Sequence, residues 1–441
     1  MQLPPKAQYS LITALFNKQF AISSMVEKYG DIFSLNFFGN KIVVLSHPDF
    51  AYHILHEQRA NYIKPRQIVA AAARLKNKEG LFQTNNMDWW RAHRSTVNQL
   101  LDKQAVEKYA DSIVNNVTES IKKWQSNVNL KKPFSLIDTT DSLTFNNLLT
   151  TLFHVENIDK QALLNCILSG MVEFATLRVE KWIDIAGWFN GKWLKIKRDI
   201  DRLDKYSKQL VQDYLNARNP EQVLLQGLAQ ANSNHSVEFI QQRLIEETKT
   251  FLITGHHTIS ASLAWLILTL AKQPEICQKM HNELTEVLQG RPITVRDFTR
   301  LPYLDSVIKE TLRFYPPVQS IAREPVENDV IAGYKINKGL FVIVSVQDIH
   351  HHPDFWDNPE AFYPERFLKK PAANHEYAYI PFGLGPRSCP GSHFSYLELT
   401  LLVATIFQQY YFKLPRPLLN REDKSMIARP SSVIQVLPCM W

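Results

Sequence analysis

Only four cysteines stand in 441 residues, Cys166, Cys277, Cys389 and Cys439, widely scattered and without paired spacing. That excludes a disulfide framework and points to a reducing compartment, so the expected location is cytoplasmic. The first six residues lack a charged region leading into a long apolar run, and the stretch 11–20 is broken by Asn17, Lys18 and Gln19. No signal peptide and no transmembrane segment are therefore expected. No repeat, low-complexity tract or linker rich in Gly or Ser divides the chain, so a single domain over 1–441 is expected, with a short lead-in over about 1–28. Basic runs interleaved with aromatics are missing too. Lys plus Arg number 50 against 43 acidic residues, a net charge of +7 that reads as a solvated surface and excludes nucleic acid as a partner.

What is present begins with 45% hydrophobic content, enough for a large core. Strand-like runs at 32–37 and 41–45 flank a Gly39-Asn40 turn, and a similar pair at 329–334 and 340–346 flanks Asn337-Lys338-Gly339. Between these regions the pattern is mostly helical. Its longest run, Val237–Lys272, has Ser236 as cap and Pro274 as stop, and at 1.5 Å per residue would span roughly 50 Å. The predicted class is mainly α with a smaller β region.

The most informative stretch is 381–391, Pro-Phe-Gly-Leu-Gly-Pro-Arg-Ser-Cys-Pro-Gly. Its glycines and prolines permit tight turns that let amide groups approach the Cys389 sulfur. The helical pattern at 394–407 would add its N-terminal partial positive charge, and both effects favour thiolate over thiol. Such a cysteinate can be a nucleophile, a zinc ligand or the axial ligand of a haem iron. No second Cys or His stands at zinc-ligand spacing, and Arg387 cannot take a proton as a nucleophile's base would. Haem fits best, with Phe382 against the macrocycle and Arg387 on a propionate. A buried structural cysteine in a glycine-rich loop stays open on these residues alone.

Phe382-x-x-Gly385-x-Arg387-x-Cys389-x-Gly391 resembles the haem-binding signature of the cytochrome P-450 family in every fixed position. Upstream, Glu310-Thr311-Leu312-Arg313 resembles that family's Glu-x-x-Arg helix, and Phe362-Tyr363-Pro364-Glu365-Arg366-Phe367 its Pro-Glu-Arg-Phe segment. Order and rough separations match as well, over about 29–436. Glu310 and Arg313, three apart, share a helix face that Pro316 soon ends, and Arg366 can fork onto the same carboxylate. Buried, such a network fixes the geometry of a neighbouring loop more than it adds net stability.

The resemblance extends to Thr254-Gly255-His256-His257-Thr258, which looks like the oxygen-activation segment of the long central helix over the haem. There Gly255 would make room for the macrocycle. Thr258 would bond a preceding carbonyl, loosen the helix and manage proton delivery during dioxygen activation. The family usually has Ala where Thr254 stands and an acid where His257 stands. A histidine can also relay protons, and an ordinary polar residue on a helix flank is the plainer reading of His256 and His257. Trp90 and Arg94 match the family's Trp-x-x-x-Arg helix, and Arg323 matches a propionate-binding arginine just before a strand. His350-His351-His352 reads as structural, because neighbours on an extended segment point to opposite faces.

The resemblance implies a soluble, bacterial-type haem-thiolate monooxygenase carrying haem b, with Cys389 as the iron ligand. Its implied partners are dioxygen, a lipophilic small molecule such as a fatty acid or terpenoid, and a separate electron donor, either a ferredoxin with its reductase or a flavoprotein. The aliphatic stretches expected to wall the pocket are 62–82, 163–177, the long helix and 318–322. A haem-thiolate isomerase, a peroxide-driven hydroxylase and a non-enzymatic haem-binding protein are the alternatives, and Thr258 argues against the first.

Overall fold

The computed structural model describes residues 2–7, 18–37, 40–155, 158–175, 189, 191–217, 222–369, 371–415, 422–423 and 427–441. Residue 39 of the first expected turn, much of the stretch 11–20 and residues 176 and 177 of one expected pocket wall lie outside them. The chain forms two compact units. One comprises Met1–Arg66, Pro302–Cys389 and Glu422–Ala428; the other comprises Gln67–Leu301, Pro390–Arg421 and Arg429–Trp441.

The first unit is organised by a five-stranded sheet in the order Ile32–Phe37, Asn40–Leu45, Phe341–Ser345, Ser320–Pro325, Tyr62–Ile63. The first pair is antiparallel with Ile32 opposite Leu45, as the sequence pattern indicates. Asn40–Leu45 runs parallel to Phe341–Ser345, placing Val43 beside Val342. Alternation along Asn40–Leu45 sends Val43 and Leu45 to one apolar layer, with Ile54, Val344 and Ile380, and Val44 to another, with Phe33 and Met25. Both faces are thus covered. Ile380, in the first layer, is the last residue before the 381–391 stretch.

The second expected strand pair is corrected. Asp329–Ile331 turns back on Tyr334–Ile336, with Ala332 and Gly333 at φ 48° and 80°, a primed hairpin turn. Phe341–Ser345 instead lies between Asn40–Leu45 and Ser320–Pro325 in the large sheet. A local turn signal could not reveal that partner, because the pairing joins segments about three hundred residues apart.

The second unit is mainly helical, with a small sheet in the order Phe134–Ser135, Gln435–Met440, Tyr410–Lys413. The long helix begins at Val237, with the Ser236 hydroxyl accepting from Phe239 N at 3.2 Å. It is not continuous. Val237–Thr254 and His257–Lys272 are separated at Gly255 and His256, and Pro274 opens the next helix, Pro274–Leu288, at its first position. At the break the Leu252 carbonyl accepts from the His256 ring at 3.0 Å, and Ser260 N reaches back to His256 O at 2.9 Å. Val237–Lys272 is long and apolar enough to cross a membrane, yet 78% of its most apolar window is buried inside the protein. Every residue from Ile259 to Leu270 is buried, as expected of a helix apolar on all sides that forms a core. It packs against Leu136–Thr151 and Ser392–Phe407.

Candidate active site

The Cys389 loop is shaped by close backbone approach. Gly383 and Gly385 take φ of 76° and 73°, and a methyl at Gly385 would sit 2.0 Å from the Leu55 carbonyl oxygen, so only glycine fits there. Gly383 N donates to Ile380 O at 2.9 Å, Ser388 N to Gly385 O at 3.0 Å and Cys389 N to Phe382 O at 2.8 Å. These bonds close the loop on itself and leave the Cys389 side chain exposed. Phe382 is partly covered, and Gly391 is the residue from which the helix Ser392–Phe407 starts.

Glu310 and Arg313 lie on the helix Pro302–Phe314 and are fully buried. Arg313 Nε and Nη2 each donate to the Glu310 carboxylate at 2.8 Å, and its remaining donors reach the carbonyls of His350, Pro359 and Ala361 at 2.8–3.1 Å. Arg366 Nε donates to Glu310 at 3.2 Å and its Nη1 to Asp357 O at 2.7 Å. The expected triad therefore exists, and it ties the helix to the whole stretch 350–366 as well as to itself. The three histidines differ from expectation in backbone only: His350 ends a short helix, Val346–His350, and is not extended. The His350 ring bridges Arg313 O at 3.1 Å and Ile380 N at 2.9 Å, a structural link from the triad to the start of the cysteine loop.

Three cations gather in the same unit. Arg323 is 4% exposed, and its adjacent Glu324 cannot neutralise it, because consecutive strand residues face opposite ways and Glu324 takes Arg66 at 3.0 Å. Arg323 donates to Ala322 O at 2.9 Å. Burial, then repulsion from Arg387, pushes Arg323 down to about 10. Burial, then the charges of Arg323 and Arg387, holds Lys64 well below the ordinary lysine range. Repulsion between buried Arg323 and the charge of Arg387 would fall if a carboxylate approached them. Sequence reasoning found Arg323 and Arg387 but missed Lys64, a lone lysine after a two-residue strand that carries no motif.

In the helical unit, Trp90 and Arg94 lie on Met87–Leu100; Trp90 is buried, and the Arg94 guanidinium stands 5.9 Å from the Trp90 ring centre. Thr258 is the one position between His257 and Leu270 that is not fully buried. One expectation here is corrected. The carbonyl bond expected of Thr258 is made one turn earlier, where Thr254 Oγ1 donates to Thr250 O at 2.8 Å. A methyl at Gly255 would meet the Phe251 carbonyl oxygen at 2.6 Å and Leu148 Cδ1 at 2.8 Å, so its missing side chain lets two helices of this unit approach. His257 is 2% exposed, and burial, then His256 and Arg429, pushes it down to about 2.

Compared with known families, residues 10–438 match the Cytochrome P450 profile. The chain is a cytochrome P450. It is 26% identical over 413 residues to cytochrome P450 132 of Mycobacterium tuberculosis, covering 90% of this chain and 88% of that protein. It is 28% identical over 428 residues to norfluorocurarine oxidase of Strychnos sp, covering 90% and 82%, and 34% identical over 227 residues to cytochrome P450 4V2 of Homo sapiens, covering 50% and 43%.

A cytochrome P450 is a haem-thiolate oxidoreductase that uses dioxygen, a substrate and an electron donor. This cytochrome P450 fits the group on its own residues: an exposed thiol on a tightly turned loop and a cluster of three cations for carboxylates, both in one compact unit. The mainly helical fold with small sheets agrees with the sequence expectation.

Proposed function

We propose that Cys389 would supply the thiolate ligand of the haem iron in this cytochrome P450, that Arg323, Arg387 and Lys64 of the same unit would hold haem propionates, and that Phe382 and Gly391 would shape the loop against the macrocycle. The observation that carries this reading is the tightly turned loop that leaves the Cys389 thiol exposed, in the unit that also holds buried Arg323 near the charge of Arg387. Bound there, the haem supplies activation of dioxygen. The chain's own residues supply the rest: the loop presents the sulfur, the cations fix the orientation of the macrocycle, and Thr258 offers a hydroxyl for organising proton delivery.

Thr258→Ala is expected to keep haem and substrate binding while product formed per reduced cofactor consumed falls several-fold and hydrogen peroxide release rises. Coupling equal to the parent's would remove the threonine from the reaction and favour a peroxide-driven or isomerase activity.

The substrate is a lipophilic small molecule of the fatty-acid or terpenoid kind, supported by the aliphatic character of 163–175, where Leu163, Leu164 and Ile167 are buried, and of the long helix. Titrating the oxidised protein with fatty acids of graded length, terpenoids and polar compounds of similar size should give Soret shifts with the lipophilic series only. Shifts confined to the polar compounds would overturn it. Four thiols without disulfides support a reducing, cytoplasmic setting.

A further inference from the structure

Asp141 had no signal in the sequence, yet it lies at the centre of a buried polar cluster inside the helical unit. It stands on Leu136–Thr151 and is 3% exposed. Its Oδ1 accepts from Ser260 Oγ at 2.5 Å, and Ser260 Oγ also lies 3.0 Å from Thr140 Oγ1. Its Oδ2 accepts from Arg429 Nη1 at 3.3 Å. Oδ1 is also 3.7 Å from Nδ1 of His257, and that nitrogen is buried with no hydrogen-bond partner among the described residues. His257 follows the helix break and precedes Thr258. A sealed ring nitrogen facing a carboxylate just beyond hydrogen-bond range is an unmet interaction, costly unless the proton sits between the two.

We infer that Asp141 is a positioning residue for the oxygenase reaction: it holds His257 in the tautomer protonated at Nδ1, leaving Nε2 as the atom that takes and returns a proton beside Thr258. The inference rests on the reading of Thr258 given above.

The charges around the pair decide its state. Burial raises Asp141, and Asp138 on the same helix adds to that, while the Ser260 hydrogen bond and then Arg429 act against both and favour the carboxylate. On the histidine side, His256 and Arg429 oppose a second proton, so the resting ring is neutral with one N–H. Which nitrogen carries it is set by the partner each nitrogen faces, and Nδ1 faces a carboxylate. A proton arriving at Nε2 makes an imidazolium whose charge the Asp141 carboxylate balances; its departure restores the neutral ring. No other atom changes protonation.

The test is nitrogen NMR of the full-length holoprotein labelled in its histidines, with His257→Gln to assign the signal. The parent is expected to show His257 protonated at Nδ1. In Asp141→Asn the amide can present its NH₂ to Nδ1, so the tautomer should reverse to Nε2–H. Coupled turnover should fall by up to about 10²-fold, the lower end of general acid–base contributions. An Nε2–H ring in the parent, or an unchanged tautomer in Asp141→Asn, overturns the inference. If Asp141→Asn does not fold, the parent's tautomer decides by itself. A reversed tautomer in a protein whose turnover is insensitive to Thr258 would sink the reading of the threonine and leave the Asp141–His257 coupling standing.

Discussion

Cys389→Ala or Cys389→His is expected to abolish the strongly red-shifted Soret band that the reduced protein shows with carbon monoxide. That band reports thiolate donation to the iron, which neither a methyl group nor an imidazole can supply. The loop should survive the change. Its closure comes from Gly383 and Gly385 and from backbone bonds such as Cys389 N to Phe382 O, which involve no sulfur. Cys389→His is therefore the sharper variant, because it can keep an iron ligand while losing the band. Persistence of the band in either variant would remove Cys389 from the metal, and Cys166 and Cys277 offer poor replacements. Burial pushes Cys166 up to about 11 and Cys277 up to about 12, so neither is poised to be a thiolate.

The second large effect is expected at Glu310 and Arg313. Glu310→Ala leaves Arg313 and Arg366 side by side with their shared carboxylate gone; Arg313→Ala takes from Glu310 its bidentate partner, leaving only the longer bond from Arg366 and one from Tyr363 N, and removes the Arg313 donors from the carbonyls of His350 and Pro359. Breaking a buried pair by removing one partner costs about 3–5 kcal/mol, a large part of a typical domain's stability. Each variant should yield mostly insoluble or haem-free protein with a clearly lowered melting temperature. Haem should be lost along with stability, because the His350 ring links Arg313 O to Ile380 N at the mouth of the cysteine loop. Normal haem content and melting temperature in Arg313→Ala would show that the network does not hold the loop.

The site was legible where chemistry demands a fixed residue type at a fixed short spacing. Gly385 is readable because only glycine tolerates the approach to Leu55, and Glu310 and Arg313 because one helical turn separates them. Lys64 and Asp141 were not legible. Each takes its meaning from partners far along the chain: Arg323 and Arg387 for Lys64, Ser260 and Arg429 for Asp141. The approach of Leu148, on another helix of the same unit, to Gly255 was not legible either.

By itself, the sequence determined the local elements and the family. The Ser236 cap, the hairpin Ile32–Phe37 with Asn40–Leu45 and the helix Pro302–Phe314 follow from capping, alternation and periodicity within a few residues. Only the tertiary structure decided that Phe341–Ser345 pairs with Asn40–Leu45 and that the long helix breaks where the His256 ring takes the Leu252 carbonyl. It also decided that buried Arg323 meets the charges of Lys64 and Arg387, and buried Asp141 that of Arg429. The physical reason is range. Turn, cap and helix-face preferences act over a few residues and are written in neighbouring letters. Strand partnership and the electrostatics of buried groups depend on which distant segments share a low-dielectric interior, and folding alone brings those together.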